Sequence, residues 1–191
     1  MKIIGFTGSP RKEGNTAWAV NRILEGAKEK GAETECWYSG SLNISPCKGC
    51  LSCVESGKCV VNDDMQKLYD ALSEADALVL GSPIYMGQMS GQTKVFTDRL
   101  FAQITPRFSP HFKEENAGKK LFLVFTQGNP DSGRFQEYID YTSRTFGLLE
   151  FEVKGVQVVA GLRSESASDK PGLLEGLREI GSSLASDQQP K

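Results

Sequence analysis

Apolar positions along this chain change their spacing again and again, and each change marks an element. Lys2 to Thr7 is an apolar run of strand length, and after a short polar loop Ala17, Val20, Ile23, Leu24 and Ala27 recur at helical spacing within Asn15 to Lys30. Gly31 stops that helix. Glu33 to Tyr38 alternates as a second strand, Gly40 to Asn62 shows no period, and Asp63-Asp64 open a helix to Ala75 with Met65, Leu68, Tyr69 and Leu72 on one face. Ala77 to Gly81 is a third strand, apolar throughout as buried parallel strands are. The pattern then predicts a helix from Gln92 to about Gln103, a polar loop from Thr105 to Lys119 and a strand from Leu121 to Phe125. A helix from about Ser132 to Phe146, a strand from Val153 to Val159 and a helix from Pro171 to about Leu184 follow, with Pro171 as a first-turn proline.

Strands that alternate with helices in this way predict an α/β fold, with a doubly wound parallel sheet covered on both faces. Residues 1–186 read as one domain and 187–191 as a frayed tail. Ligands of such sheets sit beyond the carboxyl ends of the strands, where three loops carry suitable groups: Gly8 to Thr16, Ser82 to Gly91, and Thr126 to Gly128. A flavodoxin-like five-stranded order, 2-1-3-4-5, brings all three together.

Charge narrows the partners. Lys and Arg number 22 against 24 Asp and Glu, a net charge of -2, so there is no basic footprint for nucleic acid or an anionic membrane surface. Met1 is followed at once by a strand with no charged-then-apolar leader, and the apolar runs are short. The expectation is a cytoplasmic protein with small molecules or proteins as partners. The five cysteines are odd in number and clustered, which favours metal or redox chemistry over a disulfide framework. Cys36, alone in the second strand, reads as a buried structural thiol. The one histidine, His111, reads as a surface residue of a Pro-containing loop.

The loop after the first strand reads Gly8-Ser9-Pro10-Arg11-Lys12-Glu13-Gly14-Asn15-Thr16. A strand, a loop of small and hydroxyl residues holding an Arg, and a helix start together make an anion cradle, because the first helical N–H groups lack partners and the dipole favours negative charge. Ser9, Asn15 and Thr16 add donors and Arg11 a charged fork. An ordinary strand-to-helix turn capped by Asn15 is the plainer alternative, and it needs neither the Arg nor so many hydroxyls. No Gly-x-Gly-x-x-Gly follows a strand, and no Gly-x4-Gly-Lys-Ser/Thr is present. The second loop, Ser82-Pro83-Ile84-Tyr85-Met86-Gly87, offers a flat apolar wall and backbone N–H groups, although Tyr85 and Met86 also suit core packing. Cys47, Cys50, Cys53 and Cys59 form C-x2-C-x2-C-x5-C, with Gly49 and Gly57 letting the backbone curl. Three short steps of this kind resemble runs that hold iron-sulfur clusters; structural zinc and free or oxidised thiols stand beside that reading.

Together, Gly8-Ser9-Pro10-Arg11 with Gly14-Asn15-Thr16, and Ser82-Pro83-Ile84-Tyr85 with Gly87, Ser90-Gly91 and Lys94, resemble the NADPH-dependent FMN reductase group of flavodoxin-like proteins. With the four clustered cysteines the chain most resembles the iron-sulfur flavoproteins. The resemblance implies FMN, its phosphate on Ser9, Arg11, Gly14, Asn15 and Thr16, and its ring along Ser82, Pro83, Ile84, Tyr85, Met86 and Gly87. Thr126, Gln127 and Gly128 suit the ring edge. It further implies a 4Fe-4S cluster on Cys47, Cys50, Cys53 and Cys59, electrons passing between flavin and cluster, and a homodimer or homotetramer. NAD(P)H or a reduced electron-carrier protein would be the donor and a small molecule the acceptor. Two other readings remain open: an NAD(P)H-dependent FMN or quinone reductase without a cluster, and a non-enzymatic redox carrier or sensor.

Overall fold

The computed structural model describes residues 1–103 and 118–186. Strands β1 (Lys2–Thr7), β2 (Glu33–Tyr38), β3 (Ala77–Tyr85), β5 (Lys120–Thr126) and β6 (Glu152–Val159) form a parallel sheet in the order β2-β1-β3-β5-β6, and the two-residue β4 (Gln88–Met89) pairs antiparallel with β3. With β4 set aside this is the expected order 2-1-3-4-5. Helices α1 (Asn15–Glu29) and α6 (Leu173–Ser186) cover one face, while α3 (Met65–Glu74), α4 (Gly91–Arg99) and α5 (Gln136–Leu148) cover the other. The short α2 (Ser52–Ser56) lies within the cysteine segment.

Burial on both faces explains the continuous apolar runs. Ile3, Val79 and Val124 point into the α1/α6 layer, while their neighbours Ile4, Phe6, Leu78, Leu80, Leu123 and Phe125 pack under α3, α4 and α5. Successive strand side chains face opposite layers, so an alternating pattern is lost when both layers are dry. The α1/α6 contact is backbone-close: a Cβ on Gly26 would lie 2.1 Å from the Arg178 carbonyl oxygen, and one on Gly181 would lie 1.8 Å from that of Ile23. On the opposite face Phe6 and Phe96 stack with ring centroids 3.9 Å apart, joining β1 to α4.

Four expected boundaries shift. α4 stops at Arg99 rather than near Gln103, and Leu100–Ala102 follows it as a 3-10 turn. β3 continues past Gly81 to Tyr85, because β5 pairs with it as far as Pro83 opposite Thr126. β1 stops opposite Gly81, so the missing N–H of Pro83 breaks no ladder on that side. α5 begins at Gln136 rather than near Ser132: Asn129 Oδ1 accepts from Asp131 N and Asp131 Oδ1 from Gly133 N, both at 2.9 Å, holding this segment in side-chain turns. α6 begins at Leu173, since Gly172 with φ 71° is left-handed and keeps Pro171 outside the helix. Residues 105–117 of the expected polar loop, with His111, and the tail from Asp187 lie outside the described residues. No described helix is long and apolar enough to cross a membrane.

Candidate functional site

The loop after β1 is tied on both sides before α1 begins. Gly8 N donates to the Gly81 carbonyl (2.8 Å), Arg11 N to Ser9 Oγ (3.2 Å) and Gly14 N to the Arg11 carbonyl (3.1 Å). Ser39 Oγ, just after β2, donates to the Ser9 carbonyl (3.1 Å). Gly14, not Asn15, is the N-cap of α1, with no side-chain cap and no acidic residue in the first turn. The first helical N–H groups therefore face the loop without an internal acceptor, at the positive end of the helix dipole. Ser9 and Thr16 are buried, while Arg11 is exposed beside them. Asn15 Oδ1 accepts from Ala167 N (3.0 Å) and Ser166 Oγ (3.2 Å), which leaves its amide nitrogen as the donor.

The other two loops meet this one. Thr16 Oγ1 lies 2.6 Å from Thr126 Oγ1, joining the start of α1 to the end of β5; one of the two protons bridges them and the other remains to donate elsewhere. Ser90, the N-cap of α4, accepts from Thr93 N (3.2 Å) and donates to the Gly8 carbonyl (2.5 Å). Thr93 Oγ1 donates to Ser82 Oγ (2.8 Å), and Ser82 donates to the Pro83 carbonyl (3.0 Å). The Ser82 hydroxyl, 1 % exposed, is thus engaged inside the protein. Pro83 and Ile84 are buried as well, while Tyr85 and Met86 are exposed on the turn that links β3 to β4. That turn has φ 50° at Met86 and 82° at Gly87, the left-handed pair of a tight hairpin turn, which disfavours any side chain at the first position. Gln127 is buried, with its Oε1 unpartnered among the described residues and its Nε2 donating to the Asp131 carbonyl (2.7 Å).

The cysteines make a second, looser arrangement. Cys47, Cys50, Cys53 and Cys59 all line one small cavity, together with Arg99 from the end of α4. Cys47 and Cys50 are exposed and Cys53 and Cys59 half-buried. Burial pushes the Cys53 thiol up, helped by the other three sulfurs, and the Ser52 hydroxyl 3.5 Å away draws Cys50 down. Among the described residues no three His, Cys, Asp or Glu side chains stand in ligating geometry. An all-thiol donor set on one cavity fits a sulfur-ligated centre, and such sites seldom stay closed without their metal. Cys36 is apart from them, packed against the α1/α6 core, where burial raises its thiol to about 11.

The base of the cysteine segment is firmer. Asp63 Oδ2 accepts from Ser45 N (2.9 Å) and Asp63 Oδ1 from Met65 N (3.0 Å); Asn43 N donates to Asp64 Oδ2 (2.9 Å). Gln66 Nε2 donates to the Val61 (2.6 Å) and Cys59 (3.2 Å) carbonyls. Arg99 Nη1 reaches the Ser45 carbonyl and Asp63 Oδ2, each at 2.7 Å, and Nη2 reaches Asp63 Oδ1 at 3.1 Å and the Val61 carbonyl at 3.4 Å. Burial opposes ionisation of Asp63, but Arg99 and the two backbone donors outweigh it and hold the carboxyl below its usual range. The nine residues of α4, about 13 Å of helix, separate Ser90 at the first arrangement from Arg99 at the second.

The sequence model of the NADPH-dependent FMN reductases matches residues 1–138. The chain belongs to that family. Over 99 residues it is 44% identical to an iron-sulfur flavoprotein of Methanocaldococcus jannaschii, covering 52% of this chain and 51% of that protein. Over another 99-residue match it is 39% identical to an iron-sulfur flavoprotein of Methanosarcina thermophila, at 52% of each chain. The chain thus spans about half the length of the curated relatives it matches. Among solved structures, an NAD(P)H:quinone oxidoreductase from Methanothermobacter marburgensis shares the fold, with a TM-score of 0.75 and 15% identity over 99% of both chains.

Sequence reading of this FMN reductase family member misses three participants. Arg163, in the loop after β6, lies over Gly128, where a Cβ would come 2.8 Å from its Cγ; the segment 166–167 reaches Asn15 from the same loop. Only its place after the last strand hints at this. The third is Arg99, a charge set between Phe96 and Leu100 in an otherwise buried helical frame. That misplacement is a legible sign of a buried ion pair.

Proposed function

We propose that the chain is an FMN-dependent oxidoreductase with the FMN phosphate at the start of α1 and the ring along the β3–β4 turn. The observation that carries this reading is the convergence of three loops at one sheet edge, held by the Thr16–Thr126 and Ser90–Gly8 bonds, around uncapped helical N–H groups with no acidic residue in the first turn of the helix. Ser9, Arg11, Gly14, Asn15 and Thr16 would bind phosphate through hydroxyl, guanidinium, backbone and amide donors. Tyr85, Met86 and Gly87 would flank the ring with side chains and turn backbone, with Pro83 and Ile84 supporting them from within. Ser82 would act through its network rather than its hydroxyl, and Thr126, Gln127 and Gly128 would meet the polar edge, where the free Gln127 Oε1 needs a donor. An exposed apolar side chain on left-handed backbone at Met86 carries strain of the kind kept at ligand clamps.

FMN, when bound, exchanges a hydride with a nicotinamide and single electrons with a one-electron centre. On this reading Cys47, Cys50, Cys53 and Cys59 hold a 4Fe-4S cluster that shares electrons with the flavin. The donor is NAD(P)H or a reduced carrier protein, the acceptor a small molecule, and the assembly a homodimer or homotetramer in the cytoplasm. A second reading is an NAD(P)H-dependent FMN or quinone reductase without a cluster.

Anaerobic titration with FMN, together with iron and acid-labile sulfide per chain, tests both readings. The first expects one FMN and four irons per chain, and the second expects FMN with no iron. Absence of FMN binding would remove both. Steady oxidation of NAD(P)H with an added acceptor separates an enzyme from a carrier.

A further inference from the structure

The cysteine segment hangs from one side chain on a different element. Residues 45 and 61 bracket all four clustered cysteines, and Arg99 bonds the carbonyls of both while pairing with Asp63. Arg99 is 1 % exposed and Asp63 5 % at their side chains. Burying such a pair carries a desolvation cost that a purely structural loop anchor of apolar residues would avoid. The guanidinium therefore has a use that an apolar anchor lacks.

Two observations say what that use is. Arg99 stands in the wall of the cavity that the four thiols line. Its Nε–H is buried and has no partner among the described residues, although both terminal nitrogens are fully engaged. A buried orphan donor calls for an acceptor from outside the chain's own polar groups. Beside four sulfurs the matching acceptor is a cysteinate or an inorganic sulfide. Lys48 lines the same cavity but is exposed, so its charge is screened by water.

We propose that Arg99 is the positioning residue of the cysteine centre: it braces the two ends of the loop and turns its Nε–H to the sulfur of an iron-sulfur cluster. This rests on the cluster reading above. Hydrogen bonds to sulfur and nearby positive charge stabilise the more negative reduced state and so raise a cluster's potential. Asp63 fixes the fork, and the fork fixes where Nε points.

The test uses the full chain, reconstituted anaerobically with iron, sulfide and FMN. Arg99→Lys keeps the charge but has neither Nε nor a fork able to reach Ser45, Val61 and Asp63 together. The double variant Asp63→Asn with Arg99→Met leaves no unpaired buried charge and covers the case in which Arg99→Lys does not fold. Bound FMN and the far-ultraviolet dichroism report folding independently of the cluster. In a folded variant we expect either lost iron with FMN retained, or retained iron with the reduction equilibrium shifted at least tenfold against the reduced cluster, 59 mV for one electron. Parental iron content and potential in a folded variant would overturn the role of Arg99 alone. A parent chain that takes up FMN but no iron would instead overturn the cluster reading, and this role with it.

Discussion

At the Ser90 end of α4, hydroxyls, carbonyls and helix N–H groups of three loops are tied to one another across the sheet edge, whereas at the Arg99 end a segment of exposed and half-buried thiols is anchored by a buried ion pair at its base. The first is held together by its own hydrogen bonds, so a ligand that binds there would have little of the loop left to order. The second has a rigid root and a loose tip, as expected where a metal completes the fold of its own loop. On the proposed reading, one helix connects a preformed FMN site to a site completed by its cluster. Damage at either end should stay at that end.

Asp63→Ala should have the largest effect. It leaves Arg99 buried without its counter-charge, at a cost of about 3 kcal/mol, the lower end for a broken buried pair because the Ser45 and Val61 carbonyls still hold the guanidinium. Calorimetry should show a melting point lower by about 6 to 12 °C, with iron uptake lost and FMN affinity kept. Equal loss of FMN affinity would show that the two ends are not independent. Arg11→Ala should do the reverse: FMN weakened by about 1.5 to 3 kcal/mol, roughly tenfold to a hundredfold, with an unchanged melting point. Titration calorimetry reads this directly, and parental affinity would take Arg11 out of the phosphate site.

Ser90→Ala comes next, because it removes the α4 cap and the bond to the Gly8 carbonyl at once. The expected cost is about 1 to 2 kcal/mol, seen as a melting point lower by about 4 °C. FMN affinity should fall with it, since Gly8 begins the cradle, while iron content stays at the parental level. A fall in iron content would mean that α4 transmits the disturbance along its length.

What the sequence shows of these two ends differs for a physical reason. The alternation of strands and helices and the three loops after strand ends follow from short-range pattern: apolar runs, helix spacing and the glycines and hydroxyls between them; the order 2-1-3-4-5 is the flavodoxin-like one that brings those loops together. Long-range polar bonds leave no such pattern. Asp63 reads from the chain as a helix cap, and it does accept from Met65 N, yet its stronger partner lies 36 residues on. Thr16 reads as a phosphate donor, but its contact with Thr126 spans 110 residues. The apolar period of β3 stops at Gly81 because Ser82 and Pro83 interrupt it, while pairing with β5 carries the strand on to Tyr85. The two-residue β4 is too short to have any period. Charge in a buried frame was the one readable mark of Arg99, and it names no partner.

The finest separation of the two ends comes from Met86→Gly. Met86 is fully exposed and left-handed, a conformation costing roughly 1 to 2 kcal/mol for a residue with a Cβ. Glycine removes that strain but has more freedom to lose on folding, roughly 0.5 to 1 kcal/mol, so the apoprotein should gain about 0.5 kcal/mol. Thermal melting without ligand should rise by about 1 to 2 °C. If the side chain flanks the flavin ring, losing its contact should weaken FMN by about 1 kcal/mol, close to fivefold. Stability and affinity then move in opposite directions from a single substitution, a result that simple damage to the turn cannot produce. A more stable apoprotein with parental affinity would leave the strain real and remove Met86 from the ring wall; a less stable one would show that Met86 packs in solution in a way its exposure denies.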